Sequence, residues 1–229
     1  MRQAPRRQAS HWPRDILDGS FWTSLFLEHE VKPSIACNPT ANSKSALRQA
    51  LLETRREAAR EPAHNRALSR RVLDALKRYE PACVGFYWPL EGEFDARSAI
   101  AIWLATADTR EASLPVVAER GAPLEFHAWA PDTPMRTGHH RIPEPASARV
   151  VLPDLLFVPC VGFDAHGYRL GYGGGYYDRT LAAWPGARKP VTIGIAYEAC
   201  RIDTLQREAH DIPLDAIVTD AGVYPADAG

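Results

Sequence analysis

Three short runs in this chain are apolar almost without interruption: Cys83-Val84-Gly85-Phe86-Tyr87-Trp88, Leu155-Leu156-Phe157-Val158-Pro159-Cys160-Val161, and Val191 to Tyr197. A strand with one wet face alternates apolar and polar residues; these runs do not, so both faces must be covered. The segments between them carry the helical period. Leu47, Ala50, Leu51, Ala58 and Ala59 recur at helical spacing behind Ser43, a residue type suited to an N-cap. Leu68, Val72, Leu73, Ala75 and Leu76 do so between Asn65 and Arg78, and Ile100, Ile102, Trp103 and Leu104 between Arg97 and Ala107. Further strands are expected at Leu114–Val117, at the alternating Leu124–Trp129 and at Ile217–Thr219. Strands alternating with helices predict an α/β fold with an open, mostly parallel sheet sandwiched between helical layers.

The expected domain is single and spans 43–229. Residues 1–42 read differently. Arg2, Arg6, Arg7 and Arg14 precede any apolar periodicity, and four prolines, Pro5, Pro13, Pro33 and Pro39, break the stretch. Phe21 to Leu27 is too short and too polar for the apolar core of a signal peptide. A flexible or loosely docked N-terminal extension is the expectation.

With 27 basic against 28 acidic residues, the net charge of −1 points neither to nucleic acid nor to a membrane surface. No apolar run nears the roughly 18 residues of a membrane span. Cys37, Cys83, Cys160 and Cys200 lie far apart, without zinc-like spacing, so reduced thiols in a cytoplasmic protein are expected. A monomer is expected.

The chemistry is concentrated between Gly162 and Asp178. Four of the five residues from 171 to 175 are glycine, between a buried strand and a helix expected from about Gly175 to Trp184. Glycine lets backbone N–H groups approach a ligand closely, and a helix start favours anions. Arg169 beside them is a bidentate phosphate donor by type. The spacing is neither a Walker A loop nor a dinucleotide fingerprint. A flexible glycine turn with a surface arginine is the competing account.

The stretch Gly167-x-Arg169-Leu170-Gly171-x-Gly173-x-Gly175-Tyr176-Tyr177-Asp178 resembles the signature of the 5-formyltetrahydrofolate cyclo-ligase family. Lys44-Ser45-Ala46-Leu47-Arg48, Tyr87 to Asp95 and His210 to Asp215 resemble three further family segments, in order, so the likeness covers about 43 to 220. It implies ATP-dependent cyclisation of the small molecule 5-formyltetrahydrofolate to 5,10-methenyltetrahydrofolate, with release of ADP and phosphate. The alternative is a non-catalytic paralogue that binds a nucleotide or phosphate ligand on the same scaffold.

By that resemblance Lys44, Arg48 and Arg169 are catalytic and hold ATP with Leu170, Gly171, Tyr172, Gly173, Gly174, Gly175, Tyr176 and Tyr177. Trp88 and Glu93 take the folate, with Tyr172 and Tyr176 lining the space between the two ligands. Asp178 and Asp211 hold Mg²⁺. Each residue also has an ordinary account. Lys44 and Arg48 share a helix face with Arg55, Arg56 and Arg60, and such faces are mostly solvated. Trp88 suits a core rim, Asp178 a helix start and Asp211 a loop cap. His166 is expected to be a surface loop histidine. Arg169, in a loop, is expected to be removable without loss of fold.

Overall fold

The computed structural model describes residues 44–226. Ser43 and the expected extension of residues 1–42 lie outside the described residues.

Two helices lead the described chain, and a third follows the first strand. Helix α1 (Lys44–Ala59) buries Leu51, Arg55 and Ala58, and α2 (Pro62–Tyr79) buries Leu68, Val72 and Leu76. Both sets fall on one helical stripe. Helix α2 starts with Pro62 behind a Glu61 cap and stops at Glu80, whose φ of 42° is left-handed. Helix α3 (Arg97–Leu104) buries Ala99, Ile100 and Trp103. Just before it, Asp95 accepts the Arg97 N–H at 3.0 Å.

The main sheet holds β1 (Cys83–Gly85), β2 (Glu111–Val116), β3 (Glu125–Trp129), β6 (Leu155–Pro159), β9 (Val191–Ile195), β10 (Ala216–Val218) and β11 (Val223–Pro225). Their spatial order is β11-β10-β9-β6-β1-β2-β3. The five inner strands pair in parallel, and β3 and β11 are antiparallel edges. Each edge is blunted. Residues 149–151 hydrogen-bond along β3, with Ala128 N donating to Arg149 O and Val151 N to Phe126 O. Strand β11 has three residues and ends on Pro225.

The faces of β6 show how the core divides. Leu155 and Phe157 pack with α1, α2 and α3; Leu156 and Val158 pack on the other side with Leu181 of α4 (Tyr176–Ala182). Among the described residues that second side carries one helix, of seven residues; two small hairpins stand outside the main sheet. One pairs β4 (Met135–Thr137) with β5 (Pro143–Pro145); the other pairs β7 (Gly162–Phe163) with β8 (Arg169–Leu170).

The chain leaves β1 toward β2 and β3, then returns on β1's other flank as β6 and continues to β9 and β10. Strand order therefore reverses between β1 and β6. In an open α/β sheet, the crevice outside the carboxyl ends of such a pair is where ligands bind. The segments that follow these strands are Phe86 to Asp95 and the glycine-rich loop.

Candidate active site

A cavity of about 850 Å³ opens at this reversal. Trp88 and Glu93 line it from the β1 side, and Gly171 to Asp178 from the β6 side. Lys44 and Arg48 reach it from α1.

Glu93 closes one end. Its Oε1 accepts from Arg55 Nη1 at 3.2 Å and from the Tyr172 hydroxyl at 2.9 Å. Its Oε2 accepts from the Leu90 N–H at 2.8 Å. The Arg55 and Glu93 side chains are each 3% exposed. Arg55 Nη2 donates to Glu91 O at 2.9 Å and to the Tyr172 hydroxyl at 2.6 Å. Burial, then the charge of Glu93, pushes the Tyr172 phenol up to about 12, so it stays protonated and donates. Trp88 stands beside this group, its ring covered by the Arg97 guanidinium 4.4 Å from the centroid.

The other end is cationic and glycine-lined. Arg48 Nε donates to Gly171 O at 2.7 Å, and its guanidinium lies against Gly173. Gly173 has φ of +90°, a conformation a side chain would strain. Lys44 Nζ is 2.6 Å from Glu208 and 3.6 Å from Asp211. Partial burial opposes its charge, but those carboxylates outweigh burial and raise the lysine pKa.

Arg169 does not stand free. Its side chain is 6% exposed; Nη2 lies 3.0 Å from Asp178 Oδ1, and Nη1 donates to Ile212 O at 3.0 Å. Asp178 Oδ1 also accepts the Ile212 N–H at 3.1 Å. The pair pins the strand-like turn of β8 to the 211–212 segment. The expectation that Arg169 sits in a loop and is removable without loss of fold does not fit this burial: Arg169 is an internal clasp whose edge reaches the cavity. A buried Asp164 organises the turn beneath, accepting the His166 and Tyr168 N–H groups through Oδ1. Gly167 is required there. Its φ is +81°, and a Cβ would stand 2.6 Å from Leu214 O. His166 is exposed, as expected.

Among the described residues, no three His, Cys, Asp or Glu side chains gather as a metal site. Asp178 and Asp211 both line the cavity. Asp178 is engaged by Arg169, while Asp211 Oδ2 accepts the Glu208 N–H and faces Lys44. This donor set does not make a resident metal cage. It fits an ion delivered on phosphate oxygens, which needs only one or two protein carboxylates.

The sequence pattern that defines the 5-formyltetrahydrofolate cyclo-ligase family matches residues 40–220. The chain belongs to this family. The Escherichia coli K12 5-formyltetrahydrofolate cyclo-ligase is 32% identical over 180 residues, 74% of this chain and 97% of that protein. The Haemophilus influenzae cyclo-ligase is 32% identical over 155 residues, 65% of this chain and 81% of its own length. The solved structure of Aquifex aeolicus 5,10-methenyltetrahydrofolate synthetase matches with a TM-score of 0.66 at 31% identity, covering 81% of this chain and 94% of that one. This family member is an enzyme with the α/β fold of its relatives.

All the residues singled out from the sequence meet around this one cavity, although they come from α1, the β1 end, the glycine loop and the 210–215 segment. Several neighbours were not singled out. Arg55 is buried behind Glu93 rather than solvated; its signal was its position four after Leu51 and three before Ala58, on the apolar stripe. Glu208 partners Lys44. His139 and His140, from the turn between β4 and β5, form the wall facing Tyr176, with the His140 and Tyr176 rings 6.5 Å apart. The sequence carries no periodic signal for that wall.

Proposed function

We propose that this enzyme converts 5-formyltetrahydrofolate and MgATP to 5,10-methenyltetrahydrofolate, ADP and phosphate. What supports the assignment is that a single cavity joins a buried carboxylate beside an aromatic ring to a glycine loop faced by Lys44 and Arg48. Glu93 suits the N–H edge of a pterin through charge-assisted hydrogen bonds, and Trp88 suits its ring. The glycine loop, Lys44 and Arg48 suit phosphates.

A formamide oxygen leaves poorly. In the proposed reaction it attacks the γ-phosphorus of ATP, and ADP departs. N10 then adds to the activated formyl carbon and closes the five-membered ring. The C–O bond breaks, phosphate leaves with the former formyl oxygen, and the N10 proton passes to solvent. The enzyme's share is to hold the two substrates in line and to stabilise charge on the transferring phosphoryl group. Mg²⁺ belongs to the nucleotide substrate and neutralises phosphate charge. Asp178 and Asp211 are the carboxylates within the cavity for it, and Arg169 fixes Asp178 in place. The buried, unpaired thiols of Cys83, Cys160 and Cys200 support residence in the reducing cytoplasm.

The test is to mix purified protein, MgATP and 5-formyltetrahydrofolate and follow the near-UV absorbance of the methenyl product. Growth of that band that requires both substrates is expected. Glu93→Gln should impair folate binding and leave nucleotide binding largely intact, whereas Asp178→Asn should alter the Mg²⁺ dependence of turnover. Protein that binds MgATP but neither binds nor converts the folate would refute the assignment.

A further inference from the structure

Glu93 has three partners within the protein, and they differ in kind. A carboxylate offers roughly four acceptor positions. Arg55 and Tyr172 share Oε1, and the Leu90 N–H takes one position on Oε2. Arg55 lies behind the carboxylate, fully buried and anchored a second time by Glu91 O. The Leu90 N–H is backbone. Only Tyr172 comes from the cavity side. It is 46% exposed, it stands between Gly171 and Gly173, and it reaches Glu93 from the glycine loop 79 residues along the chain.

The same short loop is also held at its phosphate side, where Gly171 O takes the Arg48 Nε–H. The loop is thus fastened at two points, one belonging to each proposed ligand. We propose that Tyr172 is a positioning residue that holds the place of the folate head on Glu93, and that its displacement by folate releases the glycine loop for the nucleotide. The tether depends on the folate assignment to Glu93 made above. A head group with adjacent N–H donors needs both carboxylate oxygens, and Oε1 becomes available when the phenol leaves. The exchange also breaks the 2.6 Å bond from Arg55 Nη2 to the phenol, but Arg55 keeps its bonds to Glu93 and Glu91 O, so no buried charge is stranded. A loop that moves with Tyr172 draws Gly171 O away from Arg48 and leaves that guanidinium to phosphate. Folate and nucleotide then bind cooperatively, and by linkage each strengthens the other equally.

Tyr172→Phe keeps the ring and removes the hydroxyl. Apparent affinity is lowered by the fraction of enzyme that is not competent to bind, so removing the tether raises affinity. Calorimetric titrations with 5-formyltetrahydrofolate, and with a non-hydrolysable ATP analogue plus Mg²⁺, should be run with and without the other ligand. Tyr172→Phe should bind folate about fivefold to tenfold more tightly than wild type, on the order of one hydrogen bond to a charged acceptor. It should bind the nucleotide analogue more tightly in the absence of folate, and it should lose most of the mutual enhancement expected of wild type. Tyr172→Leu, which also lacks the hydroxyl, should behave alike and serves if the Phe variant proves unstable. Weaker folate binding in the variants would make Tyr172 a substrate ligand and overturn the tether. Unchanged affinities and unchanged coupling would overturn it too. If wild type binds no 5-formyltetrahydrofolate at all, the folate assignment itself fails.

Discussion

The two ends of the cavity are built on opposite electrostatic principles. At the end proposed for folate, Arg55 and Glu93 are a buried pair, dry and supported by backbone groups. At the phosphate end, Lys44 meets Glu208 with side chains 28% and 52% exposed, so water screens the pair. Breaking a buried pair strands a charge in low dielectric, whereas an exposed pair contributes little to stability. The Arg55–Glu93 pair is therefore held in place by the fold itself. The phosphate end can exchange its partners for a ligand's at small cost.

Substitutions should expose that difference. The largest effect is expected for Arg55→Met, which leaves Glu93 buried without its cation: a loss of about 3–5 kcal/mol, read by chemical denaturation. Adding Glu93→Leu should restore much of that stability without restoring folate binding. A small loss for Arg55→Met alone would mean that water reaches this pair. Arg169→Ala comes next. Its partner Asp178 is less deeply buried than Glu93, and a loss of about 2–3 kcal/mol is expected, the range for hydrogen bonds to charged groups with one partner left unsatisfied. An unchanged Tm would mean that the fold does not depend on Arg169.

Lys44→Ala and Arg48→Ala should reverse the pattern. Their stability change should stay below about 1 kcal/mol, while ATP use at subsaturating nucleotide falls about tenfold to a hundredfold. A stability loss as large as that of Arg55→Met would erase the contrast between the two ends. The smallest effect concerns alkaline pH. Burial pushes the thiols of Cys160 and Cys200 up to about 12, above an unfolded value of about 8.5. Their contribution is fully present below the unfolded value and is lost as pH rises toward 12, because the unfolded chain ionises first. Thermal melts should show a decline in Tm that begins near pH 9 and steepens as pH rises. A flat profile would show that these thiols are accessible in the folded state.

Much of this layout is legible in the sequence. The apolar runs 83–88, 155–161 and 191–197 each contain a parallel strand, although β1 ends at Gly85; beyond it Phe86 N still bonds to Ser113 O before Pro89. The glycine loop follows β6 by way of the 162–170 hairpin and lines the cavity from the β6 side. The hairpins 135–145 and 162–170 escape detection because strands of two or three residues hold no measurable period. Arg55 escapes for a different reason. Charge argues for solvent, and only the stripe from Leu51 to Ala58 argues otherwise. The Tyr172–Glu93 contact spans 79 residues, and no local pattern encodes it.

The blunted edges of the sheet bear on how copies of this enzyme meet. Seven strands in register form a template onto which an eighth, from another molecule, would add if a free row of N–H and C=O groups were offered. Beside β3 that row is already taken by residues 149–151, and at the far side it is three residues long and ends in a proline that has no N–H. Among the described residues, neither flank offers a long docking rail. Concentrated solutions of the folded protein should resist strand-to-strand aggregation, and association should have to begin by peeling 149–151 away from β3.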